Sequence, residues 1–86
     1  MSRRYPVFLT DQPARYQVCF IGRVQVDWTD WMDDLESEVQ PGEVGQSPRT
    51  LLTGVVNDQS ALFGLLSRIR DLGLPLLLVE CLGLKL

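Results

Sequence analysis

An α+β fold, an antiparallel sheet with helices on one face, is predicted by three observations on this 86-residue chain. Residues 15–26 alternate apolar and polar, as a half-buried strand does. Leu62, Leu65, Leu66, Ile69 and Leu72 recur at helical spacing and make one stripe. Residues 76–84 are a leucine-rich run entered through Gly73 and Pro75, which reads as a strand following that helix.

Taken in order, residues 1–13 read as an N-terminal extension before a single α+β domain over 14–86. The extension is either a disordered tail or an edge strand at Tyr5–Thr10, with Pro6 and Pro13 weakening the strand. Along 15–26, Tyr16, Val18, Phe20, Val24 and Val26 point one way and Gln17, Cys19, Ile21, Arg23 and Gln25 the other, with Gly22 reading as a bulge. Residues 27–35 read as a short helix capped by Asp27, with Trp28, Trp31, Met32 and Leu35 on one face. A weak polar strand follows at 36–40, then a breaker-rich loop from Pro41 to Pro48. Arg49–Val56 alternates as a second good strand. The long helix spans about 58–72: Asn57 or Asp58 caps its start, and Gly73 in the left-handed conformation ends it.

The order strand, short helix, strand, strand, long helix, strand is the ferredoxin-like βαββαβ plan. It predicts the sheet order last, first, third, second, with 15–26 and 49–56 central and 36–40 at an edge. A meander with one helix is the alternative if 27–35 is only a turn.

Composition narrows the function classes. A chain this short buries only roughly 60–65% of its unfolded surface, so burial in an oligomer would add to a modest stability. A net charge of −3 argues against nucleic acid as partner. Seven acids and no base lie between Val24 and Pro48, so one edge should be acidic. No apolar run approaches a membrane span, no leader-like segment follows Met1, and two cysteines in apolar runs suit reduced thiols; the expected location is cytoplasmic.

Catalytic and metal chemistry find little support. The chain has no histidine, so Ser–His and Cys–His nucleophile pairs are impossible, and the loop 41–48 lacks the lysine and spacing of a phosphate loop. The reading is a protein that is not an enzyme and needs no cofactor or metal. Asp30, Asp33 and Asp34 match no calcium loop and read as a solvated face. Cys19 and Cys81 come opposite one another if the first and last strands pair at their midpoints, yet two thiols alone make no zinc site. Trp28, Trp31 and Met32 read as core. Phe63 lies off the leucine stripe beside Gln59, Ser67 and Arg70, the composition of an interface anchor. Gly64 falls mid-helix on the polar side.

Three stretches carry a resemblance. They are Tyr16-Gln17-Val18 with Gly22; Trp28-Thr29-Asp30-Trp31-Met32; and the long tail Leu52-Thr53-Gly54, Val56, Asp58-Gln59, Ala61-Leu62, Gly64-Leu65-Leu66 and Ile69 to Leu74. Residues 15 to 82 thereby resemble a group of short, uncharacterised bacterial and archaeal proteins. The resemblance implies an independent module and brings no activity with it. The chain departs from the group at Phe63, where a histidine is usual, and at Asp33, where a glycine is usual. The helix running into Leu72-Gly73-Leu74 also resembles a piece of ACT domains, which implies a small-molecule effector at a subunit interface.

The resulting expectation is a non-catalytic interaction or accessory module that self-associates as a homodimer or higher homo-oligomer. An effector-sensing ACT-like domain is the alternative. By strict alternation Leu77, Val79 and Cys81 fall on the uncovered sheet face with Cys19 and Ile21, and this patch, with Phe63 on the helical side, is the expected interface.

Overall fold

The computed structural model describes residues 12–84. Four antiparallel strands, β1 (Ala14–Ile21), β2 (Asp33–Gln40), β3 (Arg49–Val56) and β4 (Leu76–Leu84), form one sheet in the order β2-β3-β1-β4. Among the described residues a single α-helix, α1 (Gln59–Asp71), packs on one face. Expected strand Tyr5–Thr10 and the last leucine, Leu86, lie outside the described residues.

The core is built where the periodicities meet. Val18 and Phe20 of β1 and Leu52 and Val56 of β3 face Leu62, Leu65 and Ile69 of α1, and all seven are buried. Leu66 and Leu72 are half-buried against the same cluster. The helix is punctuated at both ends. The Asp58 carboxylate accepts the backbone N–H of Ala61 at 2.8 Å, satisfying one orphan donor of the first turn. Gly73 takes φ +73, a conformation that costs a side-chain-bearing residue about 1 kcal/mol or more.

The full βαββαβ plan is not realised, because the described residues hold one α-helix rather than two. Within 27–35 only Trp28–Asp30 is helical, as a single 3-10 turn, and Asp33 to Leu35 already belong to β2. The reason is local. A two-turn helix there would carry Asp33 and Asp34 at its C-terminus, where the macrodipole opposes negative charge, and Trp, Thr and Asp are poor helix formers. So short a segment cannot repay the cost of nucleation. The cap is nevertheless real: Thr29 donates its backbone N–H to the Asp27 carboxylate at 3.0 Å. The turn also drives Trp28 and Met32 into the core, with Trp31 and Leu35 packed half-buried at its margin.

The chain then enters β2 three residues earlier than the polar run 36–40 suggested. Asn57 Nδ2 donates to Asp33 Oδ2 at 3.0 Å, tying the start of β2 to the end of β3, and the register shifts between Asp33 and Glu36. At the other end of the sheet, β1 stops at Ile21 instead of running to Val26. Gly22 ends the strand and is not a bulge within it; Val24 and Val26 still pack half-buried on the core from the connecting segment. Thr50, buried in β3, is satisfied by donating its hydroxyl to the Gly22 carbonyl at 2.7 Å.

Candidate interaction surface

The strand β4 forms one edge of the sheet and contributes no side chain to the buried core cluster among the described residues. Its apolar residues stand in solvent: Leu76, Leu77, Leu78, Val79 and Leu82 are each between 37% and 47% exposed. Single exposed leucines are ordinary on a protein surface, but a contiguous run of them is not.

Two register shifts against β1, at Arg15/Tyr16 and Cys19/Phe20, govern where these side chains go. Residues opposite one another in an antiparallel pair share a face. Leu78 is opposite Cys19 and Glu80 opposite Gln17, on the face away from α1. Val79 is opposite Val18 and Cys81 opposite Tyr16, on the helix side. Leu77 and Leu82 are the extra residues at the two shifts. Strict alternation therefore misplaces part of the expected interface: Val79 and Cys81 do not join Cys19 and Ile21 on one face. One additional residue in a strand reverses every side chain beyond it.

The centre of the uncovered face is also not the open patch expected. Cys19 is only 9% exposed and Val55 only 4%. Each is a small side chain on a central strand, flanked on both sides: Cys19 by Leu51 and Leu78, Val55 by Arg15 and Asp33. Ile21 is half-buried. Both cysteines are free thiols, and the register separates them, since Cys19 faces Leu78 and not Cys81. Phe63 does stand out, at 60% exposure, but it projects from α1 and not from the sheet edge.

A second feature was not legible in the spacing. Trp31 lies over Gly64, so close that a Cβ at position 64 would sit 2.9 Å from the indole Nε1. Gly64 on the polar side of α1 thus admits an aromatic ring of the same chain. Beside that ring a cavity of about 460 Å³ opens, lined by Gln25, Val26, Asp27, Asp30, Trp31 and Arg68. The Thr29 hydroxyl and then its backbone N–H hold the Asp27 carboxyl below its ordinary 3.8, so this wall stays anionic at neutral pH. Among the described residues neither Asp30 nor Arg68 is taken up in an ion pair, and no group of acids and cysteines could hold a metal ion.

Fold and surface together define a small single-helix α+β module with an apolar sheet edge. The chain belongs to the family described as Domain of unknown function (DUF8691), whose model matches residues 15–80. That span runs from β1 into β4 and takes in the tryptophan turn and all of α1. No curated protein and no solved structure matches the chain. No helix among the described residues is long and apolar enough to cross a membrane.

Proposed function

We propose that the chain is a non-catalytic interaction module that self-associates through β4. The observation that carries this reading is five exposed apolar residues on an edge strand, the run Leu76 to Val79 and then Leu82. An edge strand presents unpaired backbone donors and acceptors, and natural proteins blunt such edges or pair them. Absence of histidine from the sequence supports a role in contact rather than acid–base chemistry.

Light scattering at high micromolar concentration tests it. The expected mass is twice the chain's 9.7 kDa or more. Leu78→Glu, on the face away from α1, should weaken association by on the order of a hundredfold while the far-ultraviolet circular dichroism is kept, because β4 offers no base to pair with a second carboxylate and an unpaired buried charge costs several kcal/mol. A parent protein that scatters as a monomer would overturn the reading.

The cavity beside Trp31 supports a second reading, a small-molecule sensor. Carboxylates, a guanidinium and an indole around one opening suit a zwitterion such as an amino acid. None of its lining residues belongs to β4, so this site would lie away from the edge and not between subunits paired there. A thermal-shift panel of amino acids separates the two readings, since a ligand bound only to the native state raises apparent stability.

A further inference from the structure

We infer that two copies pair β4 to β4 in antiparallel fashion across a two-fold axis at Val79, making one eight-stranded sheet with both helices on the same face. The inference rests on the self-association reading and specifies its geometry. Three observations lead to it: the chemistry of the opposite edge, the two bulges, and the single charge on β4.

The opposite edge decides between a ring-closing and an open assembly. A head-to-tail contact would lay β4 against β2 of the next copy and repeat without limit. But β2 carries Asp33, Asp34, Glu36 and Glu38, all exposed, and no basic residue. Pressing apolar β4 on that row would desolvate the Glu36 and Glu38 carboxylates against a strand that holds no base, which is strongly unfavourable. Its entry is further distorted, with Asp34 at φ +50 and the register shifted before Glu36. The strand that fits β4 is therefore another β4, and that pairing closes at two.

The bulges and the charge then place the axis. Between the two register shifts, Leu78, Val79, Glu80 and Cys81 pair regularly with β1. A two-fold perpendicular to the sheet sets a residue opposite its own copy, and only Val79 or Glu80 is central in that segment. Centring on Glu80 would put two carboxylates directly opposite, which is destabilising. Centring on Val79 sets Val79 against its copy and Leu78 against the other copy's Glu80, away from any like charge. Leu77 and Leu82 continue the contact on either side.

Cysteine cross-linking tests the geometry. In an antiparallel pair the opposite Cα atoms are about 4.5–5.5 Å apart. That falls inside the roughly 4.4–6.8 Å a disulfide spans. In a Cys81→Ala background, Val79→Cys should give a covalent dimer on mild oxidation, whereas Val39→Cys on β2 should not. Sedimentation of the same unoxidised proteins is read alongside. A non-covalent dimer that cross-links through Glu80→Cys or Val39→Cys, and not through Val79→Cys, overturns this geometry and leaves self-association standing. A monomer in sedimentation, as would result if the chain's own Tyr5–Thr10 covered β4, overturns both.

Discussion

The two edges of this sheet are opposites. Strand β2 is exposed along almost its whole length and carries four acids among eight residues, with Val39 and half-buried Leu35 its only large apolar side chains. Strand β4 is exposed too, yet Leu76, Leu77, Leu78, Val79 and Leu82 are exposed large hydrophobics and Glu80 is its one charge. Both are held by the same central pair, β1 and β3. The contrast teaches that exposure alone says little about an edge. Charge on β2 makes further pairing unfavourable, whereas on β4 a single carboxylate opposes only one register and apolar area favours pairing.

The sharpest way to break this contrast is to remove the charge from β2. Glu36→Val with Glu38→Val turns the blocked edge into a second apolar one. Both residues lie opposite the β3 residues Thr53 and Leu51 on the face away from α1, so the core is untouched. The expected outcome is growth past the dimer into large, polydisperse species in sedimentation. A double variant that stays at the parent's size would show that carboxylates on β2 are not what limits assembly.

A second test sharpens the contrast between edge and centre. Ile69 is 1% exposed and sits in the core, whereas Leu77 is 46% exposed on β4. Ile69→Ala should lower unfolding free energy by about 2–4 kcal/mol, and Leu77→Ala by less than about 1 kcal/mol. Urea unfolding should be measured in the Leu78→Glu background, so that mass action from association does not enter. Equal losses at both positions would place β4 inside the folding core and leave it no free side chains for a partner.

Much of this arrangement is legible in the residues. Arg49–Val56 and Leu76–Leu84 have the bounds their alternation and flanking breakers suggest, and α1 runs between the Asp58 cap and Gly73 as punctuated. Central places for β1 and β3 follow from their regular apolar faces, and an edge place for β2 from its acids. What stays illegible is register. The shift at Arg15/Tyr16 is flanked on β4 by Gly83, at φ +155, a bulge signal of the kind read at Gly22, whereas no glycine or proline stands at Cys19/Phe20 or at Leu76 to Leu78, and the two shifts decide that Val79 and Cys81 turn toward the helix side. The first helix fails for a different reason: its apolar spacing is right, but the spacing serves a turn that plants Trp28 and Met32, not a helix. Gly64 shows the same limit, since only the fold reveals that its missing side chain makes room for Trp31.

The smallest expected effect lies at the entry to β2. Asp27 caps the 3-10 turn that leads into that edge, accepting from the Thr29 hydroxyl and backbone N–H, and these bonds favour the charged carboxylate. A carboxyl whose folded pKa lies below its unfolded value binds fewer protons in the native state. Its contribution to stability is therefore fully present above the ordinary value of 3.8 and is lost as pH falls through the lowered, folded value. The side chain is on the surface, so solvent screening keeps the effect slight. A carboxyl titration followed by nuclear magnetic resonance should find Asp27 below 3.8 in the parent and closer to it in Thr29→Val, which keeps the backbone donor but loses the hydroxyl. Asp27→Asn should remove this part of the acid-side slope of stability and leave the assembly state at neutral pH unchanged, because the cap serves the acidic edge and not β4. An Asp27 that titrates at or above 3.8 would mean the turn is not held by its cap, and the entry to β2 would rest on the Asn57–Asp33 hydrogen bond instead.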